Sequence, residues 1–238
     1  MAWSILRCDE VDSTNNVCKT LAAQGADDTA VIARRQTAGK GRLGRSFRSP
    51  EGGLYLSVLW RGCPAGQLLA VTPLAAVAVC RAIQQICGAV CGIKWCNDVV
   101  LNGKKLCGIL TESSLRPDGG AEWLVVGIGV NVAQTAFPPD IADMAASLAM
   151  QGYSVSPDAL AEVLLEQLTA EGCRAMMVQA DVSQRDQVEA MVRRVEDTFG
   201  PVSLLVNNAG VAGQALFQDI SEELWRRYFS VNVDGAFH

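Results

Sequence analysis

Histidine is almost absent from this sequence: its 238 residues include one, His238. Histidine is the commonest general acid or base in enzymes, so a Ser-His-Asp triad, a Cys-His pair and an HExxH metal site are all excluded. Any chemistry must instead depend on substrate positioning, on lysine and arginine charge, on backbone donors and on carboxylates.

Paired cysteines and long apolar runs are missing as well. Nine cysteines occur, but the number is odd and no two are spaced as CxxC. This usage predicts reduced thiols and neither disulfides nor a zinc site. No 18 consecutive residues are apolar, and the first residues include acids where a secretory signal would be basic, so we expect a cytoplasmic protein that does not span a membrane.

Positive charge is concentrated in one segment. The net charge is −5, yet residues 34–48 contain six basic residues and no acid, which leaves the rest of the chain near −11. An acidic protein with one basic loop favours a small anionic ligand over nucleic acid.

The first 169 residues predict an α+β domain of mostly antiparallel strands with few crossover helices. Ser13 is expected to cap the first helix, Pro73 to lie in the first turn of a long buried helix, and Asn102-Gly103 to turn a hairpin. The other predicted elements are a strand before residue 12, strands at 29–34, 54–60 and 123–132, and helices at 14–24, 68–90, about 140–150 and 157–168.

The pattern changes near residue 170. Residues 174–182 and 203–210 are predicted strands, and residues 183–200 and 221–230 are predicted helices. Because strand–helix–strand–helix is typical of a doubly wound fold, we predict two domains, 1–169 and 170–238, the second a partial Rossmann-like α/β fragment.

Glycine alternates with basic residues between Gly39 and Arg45. Glycines let backbone amides approach an anion, and lysine and arginine donate charge-assisted hydrogen bonds to phosphate. The alternative is a solvated basic surface loop. The pattern favours a ligand-binding loop that is not a Walker A loop, because GxxxxGK[ST] is absent.

Two further segments are ambiguous by themselves. Residues 12–15, DSTN, can simply cap a helix. Residues 94–98, KWCND, with Lys104 and Lys105 on the return strand, can be an exposed hairpin with ordinary charges, or a site where a lysine stabilises phosphate and a carboxylate orients an amine.

These segments together resemble the biotin–protein ligase family. The motifs DSTN (12–15), RQTAGKGRLGR (35–45), KWCNDVVLNGKKLCGIL (94–110) and GIGVNV (127–132) occur in the family's order and at its usual separations, over residues 5–168. The resemblance implies a mixed, largely antiparallel sheet with helices. It also implies an ATP- and magnesium-dependent ligase that forms biotinyl-AMP and transfers biotin to a lysine of a biotin carboxyl carrier protein, with a homodimer left open.

By the same resemblance, Arg42, Lys105 and Asp98 are the catalytic candidates. The expected contacts of biotin and biotinyl-AMP are Ser13, Thr14, Asn15, Gln36, Gly39, Lys40, Gly41, Arg42, Asn97, Lys105 and Asn131. A biotin-binding protein impaired in transfer and a lipoate ligase of the same fold stay open as alternatives.

The sequence departs from the family pattern at three positions in or near these motifs: Lys40 replaces arginine, Phe47 replaces tryptophan and Cys96 replaces proline. Replacing arginine with lysine keeps the positive charge but loses the ability to form two parallel hydrogen bonds to one anion. No helix-turn-helix precedes the domain, so we expect no DNA binding, and the family's small C-terminal β domain is not recognisable.

Residues 170–238 instead resemble the middle of a short-chain dehydrogenase, through AEGCRAMMVQADV, the NNAG at 207–210 and SVNVDGAFH. The family's TGxxxGxG turn and YxxxK are absent, and Asn232 is the one catalytic residue that matches. The resemblance therefore implies a dehydrogenase fragment fused to a ligase, with an NAD(P)-dependent oxidoreductase as the alternative function.

Overall fold

The computed structural model describes residues 3–169, 178–202, 205–213 and 217–238. The chain divides into two compact units, Met1–Cys173 and Arg174–His238.

The first unit is built on one seven-stranded sheet. Its strands are β1 (Ser4–Val11), β2 (Thr29–Gln36), β3 (Gly53–Arg61), β4 (Gly92–Lys94), β5 (Asp98–Leu101), β6 (Lys104–Leu115) and β7 (Ala121–Asn131). Their order is β1-β2-β3-β7-β6-β5-β4. Only the β1–β2 pair is parallel, and every other pair in this sheet is antiparallel. The predicted mixed, largely antiparallel α+β sheet is confirmed.

Helices cover both faces of this sheet. They are α1 (Thr14–Ala23), α2 (Leu68–Cys87) and α3 (Pro157–Thr169). Side chains alternate along a strand, so Leu56 and Val58 of β3 pack with α2 and α3, whereas Leu59 packs with Cys18 of α1. The larger core lies between the sheet and the α2–α3 pair.

One helix among the described residues is long and apolar enough to cross a membrane by length and composition. It is α2 with its preceding turn, Ala65–Cys87, with a mean hydropathy of 1.6. Its buried side chains include Ala76, Val79, Ala82 and Ile83, which belong to the larger core. Burial in this core therefore accounts for part of its apolar composition.

The predicted hairpin is confirmed at Asn102 and Gly103, whose φ angles are 51° and 77°. Two predictions for helices are wrong. Pro73 is the sixth residue of α2, in its second turn, because the helix begins at Leu68. No α-helix spans 140–150: the Lys105 amide donates to the Met144 carbonyl, which holds that segment against β6.

The second unit contains α4 (Arg185–Phe199) and α5 (Glu222–Phe229), which confirms both predicted helices. Residues 178–182 and 205–210 are not strands, and the remaining parts of the two predicted strands lie outside the described residues. A strand is stable only when it pairs with a neighbour, and the described residues of this unit supply no such partner.

Candidate active site

A cavity opens on the α1 side of the sheet. Its floor is made of three glycines on neighbouring strands: Gly108 of β6 is paired with Gly129 of β7, and Gly127 lies two residues before Gly129. A Cβ at Gly129 would lie 2.5 Å from the Phe47 ring, and one at Gly127 would overlap the Asn15 amide. The missing side chains create the space between the sheet and the elements above it.

The start of α1 forms one end of the cavity. Ser13, Thr14 and Asn15 are each at least 95% buried and line it. Ser13 occupies the predicted N-cap position of α1, but its side chain makes no capping hydrogen bond. The Ser13 amide instead donates to Asp12 Oδ1 at 2.6 Å.

Gln36, at the end of β2, is fixed by hydrogen bonds at both ends of its amide. Its Oε1 accepts from the Thr14 amide at 2.8 Å and lies 3.1 Å from Thr14 Oγ1. Its Nε2 donates to Ser49 Oγ at 2.8 Å. This end of the cavity is therefore a set of ordered, uncharged donors and acceptors.

Positive charge collects around Gly108 and the cavity mouth. Lys105 Nζ lies 2.7 Å from Asp98 Oδ1, and a Cβ at Gly108 would lie 3.3 Å from the same Nζ. Its neighbour Lys104 donates to the Ala142 carbonyl at 3.2 Å and does not line the cavity. The two neighbouring lysines therefore extend to opposite sides of β6.

The glycine loop, residues 39–45, lies over the mouth of the cavity. Arg42 Nη1 donates to Asn97 Oδ1 at 2.9 Å, in the turn before β5, and Lys40 Nζ donates to Asn16 Oδ1 at 2.8 Å, on α1. Asn16 also donates to Asp12. That hydrogen bond is the largest influence on the Asp12 carboxyl and lowers its pKa below the usual value.

Nine of the twelve sequence-predicted site residues line this one cavity: Ser13, Thr14, Asn15, Gln36, Lys40, Gly41, Arg42, Asn97 and Lys105. Three do not. Asp98 contacts it through Lys105 and Asn97, whose Nδ2 lies 3.0 Å from Asp98 Oδ1. Gly39 packs against Phe47 and Ser49, and buried Asn131 donates to the Ala146 carbonyl at 3.1 Å.

Several residues of the site were not found from the sequence. They are the floor glycines, Ser57 and Glu112, whereas Phe47 had been singled out from the sequence as a departure from the family pattern. Alternating glycine in the strand sequence GIGV was a usable signal, because glycine within a strand often marks a close approach by a ligand or another chain segment. Glu112 had no comparable signal, since a charged residue near a strand end is usually solvated.

Residues 8–131, just over half of the chain, match the profile of the biotin/lipoate A/B protein ligase family. The chain belongs to this family. Its sheet, its glycine-floored cavity and nine of the motif residues that line it fit that membership.

Named ligases are among the similar proteins. The bifunctional ligase/repressor BirA of Bacillus spizizenii is 39% identical over 153 residues, which are 62% of this chain and 47% of that protein. The biotin–[acetyl-CoA-carboxylase] ligase of Paracoccus denitrificans is 37% identical over 163 residues, 64% of this chain and 66% of that protein. The present chain thus spans about half the length of the Bacillus relative.

A solved structure is also similar. The biotin protein ligase of Aquifex aeolicus in complex with biotin and ATP is 34% identical, with a TM-score of 0.59. The match covers 69% of this chain and 68% of that one.

Residues 127–238 match a second profile, that of the short chain dehydrogenase family. The resemblance of residues 170–238 to the short-chain dehydrogenase family is confirmed. The match begins inside β7, the strand that carries Gly127 and Gly129, and so overlaps the ligase match by five residues, 127–131. Those five residues belong structurally to the ligase sheet.

Proposed function

We propose that this chain activates biotin with ATP to form biotinyl-AMP and transfers the biotinyl group to a lysine of a biotin carboxyl carrier protein of the acetyl-CoA carboxylase type. One observation carries the proposal: a single cavity has uncharged hydrogen-bonding groups around Asn15 at one end and cations around Lys105 at the other. Gly127 and Gly129, two residues apart on β7, separate these ends by about 7 Å.

The ligand's shape and charge follow from that arrangement. The Ser13–Asn15 end suits an uncharged ring with its own hydrogen-bonding groups, and Phe47 covers the middle of the cavity. The Lys105 end suits a carboxylate and a phosphate. Biotin combines a cyclic urea with a carboxylate on a flexible chain, so its long axis matches the direction from Asn15 to Lys105.

Adenylation needs charge stabilisation rather than a histidine base. A carboxylate oxygen of biotin attacks the α-phosphorus of ATP, the bond to the bridging oxygen breaks, and pyrophosphate leaves. Negative charge accumulates on the phosphoryl oxygens, and Lys105 and Arg42 are available to stabilise it. Before the ligands arrive, Asp98 and Asn97 hold these two cations in place.

Transfer requires a neutral amine. The carrier lysine loses a proton, its nitrogen attacks the carbonyl carbon of the mixed anhydride, and AMP leaves. Asp98 is the carboxylate paired with Lys105 at the cationic end of the cavity, and its side chain is 23% exposed. Once Lys105 turns to the phosphate, Asp98 is free to accept a hydrogen bond from the incoming amine and to orient it.

Magnesium would enter with the nucleotide. Among the described residues no group of three or more carboxylate, cysteine or histidine side chains is arranged to hold a metal ion. Mg²⁺ commonly binds through substrate phosphates, waters and one or two carboxylates, which fits a site whose nearest carboxylate is Asp98. Bound there, it would neutralise charge on the triphosphate.

The direct experiment combines the full chain with labelled biotin, ATP, magnesium and a carrier domain, and measures label on the carrier. Label that depends on ATP supports the proposal. Biotin binding without pyrophosphate release and without label on the carrier would instead favour a non-catalytic binding protein. The absence of both labelled carrier and pyrophosphate would contradict the proposal.

The dehydrogenase match of residues 127–238 favours an NAD(P)-dependent oxidoreductase as a second candidate. That activity needs a glycine-rich turn at a helix start to hold the pyrophosphate, and the sequence has no TGxxxGxG turn before the NNAG segment. We therefore expect no NADPH oxidation with carbonyl substrates, which a spectrophotometric assay of the full chain tests.

A further inference from the structure

Glu112 connects the sheet to α1 at the cavity end formed by Asn15. It lies on β6, and its carboxylate accepts from Asn15 Nδ2 at 2.8 Å and from Lys19 Nζ at 2.8 Å. Asn15 and Lys19 are four residues apart, so both extend from the same face of α1. The Glu112 and Lys19 side chains are only 28% and 29% exposed.

The Asn15 amide has little hydrogen-bonding capacity left for a ligand. Asn15 Nδ2 donates one hydrogen to Glu112 and the other to the Leu110 carbonyl oxygen, 3.3 Å away. Both hydrogens of this amide nitrogen are therefore used. Oδ1 lies 2.6 Å from Ser57 Oγ. Because Asn15 lines the cavity, the capacity that it can offer there is the second lone pair of Oδ1.

Rotating this amide by 180° is disfavoured by its surroundings. The rotation would place Oδ1 against the Glu112 carboxylate and the Leu110 carbonyl, both of which are acceptors. Ser57 would not oppose it, because a hydroxyl can donate or accept. The carboxylate of Glu112 and the Leu110 carbonyl therefore decide which atom of Asn15 faces the ligand.

We propose that Glu112 is a positioning residue that holds Asn15 as a hydrogen-bond acceptor and so selects ligands that carry N–H donors at the buried end. The cyclic urea of biotin has two such donors, whereas the dithiolane ring of a lipoyl group has none. The inference rests on the proposed function and adds a specificity determinant outside the cavity lining.

The ionisation of Glu112 agrees with this role. Burial alone would raise the pKa of its carboxyl, but hydrogen bonds from Lys19 and Asn15 outweigh burial and lower the pKa below the usual value. The group is therefore a charged acceptor at neutral pH.

The test is calorimetric titration of the full-length protein with biotin and, separately, with ATP. Glu112→Gln keeps the shape but replaces the acceptor-only carboxylate with an amide that can pair with either orientation of Asn15. We expect biotin affinity to fall about tenfold or more, as when a buried polar group loses its proper partner, while ATP affinity stays within about twofold.

Lys19→Met is the matched control. It removes the ion pair from Glu112 but leaves the contact between Glu112 and Asn15, so biotin affinity should stay within about twofold of the parent. Equal losses in the two variants would overturn the inference, because they would show that the ion pair matters and the amide orientation does not.

A double-mutant cycle locates the effect on Asn15. If Glu112 acts through Asn15, adding Glu112→Gln to Asn15→Ala should weaken biotin binding no further. Additive losses would contradict this. If Glu112→Gln proves unfolded by circular dichroism, Glu112→Asp, which keeps the charge but shortens its reach, replaces it with the same expectations.

The result also separates the inference from the function on which it rests. If the parent protein binds biotin and Glu112→Gln binds it equally well, only the inference is wrong. If the parent does not bind biotin at all, the proposed function is wrong and the inference with it.

Discussion

The two units of this chain differ in what their amphipathic segments are packed against. In residues 3–169, helices and strands bury apolar side chains on both faces of one sheet, and the larger core contains the fully buried Leu106, Leu148 and Leu164. In the described residues of 178–238, α4, α5 and shorter helical turns form but no side chain is buried, and Trp225 and Phe229 are 45% and 44% exposed. Local sequence is enough to specify a helix, whereas burial requires a sheet or another helix to receive its apolar face.

The same contrast separates a functional site from a motif. In the first unit, residues from four motifs distant in sequence converge on one cavity, because strands β6 and β7 and helix α1 hold them. In the second, the NNAG residues 207–210 are exposed and outside any helix or strand, and Asn232 hydrogen-bonds the amide and carbonyl of Val211 at 2.8 and 2.9 Å. A motif acts only where a fold positions it.

The largest expected effect tests the difference in burial. Leu164→Ala on α3 should lower the free energy of unfolding by about 2–5 kcal/mol, because it leaves a cavity in the core. Phe229→Ala should cost below about 0.5 kcal/mol, the usual range for exposed positions. Urea unfolding followed by tryptophan fluorescence compares the two variants. Equal decreases in the free energy of unfolding would show that the second unit has a core of its own.

The next effect concerns the cationic end of the cavity. Lys105→Ala should reduce biotin-dependent pyrophosphate release about 100-fold, as expected for deleting one preorganised electrostatic contact. Lys104→Ala is the control, because its side chain reaches the Ala142 carbonyl instead. If both substitutions slow the reaction equally, Lys105 does not specifically stabilise the charge that develops during adenylation.

A smaller effect is expected in the glycine loop. Arg42→Gly removes a cation and the contact with Asn97, so biotinyl-AMP should dissociate about tenfold faster and label nearby lysines indiscriminately. Arg45→Gly adds the same backbone freedom but removes an exposed side chain that does not line the cavity. Similar leakage from both variants, measured as adenylate retained after gel filtration, would assign the effect to loop flexibility.

The smallest effect is a dependence of stability on pH. The pKa of Glu112 is lowered in the folded protein, so its contribution is present above its unfolded-state value of about 4.3 and is lost as pH falls through the folded pKa. Lys19→Ala should therefore reduce stability at pH 7 by about 0.5–1 kcal/mol, and by less at an acidic pH below the folded pKa of Glu112, where this carboxyl is protonated in both proteins. Chemical unfolding of both proteins at the two pH values measures the difference in their free energies of unfolding. A difference that does not change with pH would contradict the ion pair between Lys19 and Glu112.

The elements that were predictable from sequence have local causes. Alternation identified β3, and a buried apolar run identified β7. Asn102-Gly103 identified the hairpin that brings Lys105 next to Asp98. The misassigned segment 140–150 is determined by a distant partner, because its backbone pairs with Lys105. Glu112 was missed for the same reason, since its partners lie 93 and 97 residues away in the sequence.

Hydrogen–deuterium exchange of the full-length protein, with and without biotin and ATP, tests most directly the claim that the first unit holds the functional site. Bound ligand should slow exchange at 13–16, in the loop 37–47, and on β6 and β7 beside Gly108 and Gly129, and should leave 178–238 unchanged. Protection confined to 178–238, or none anywhere at saturating ligand, would contradict the account.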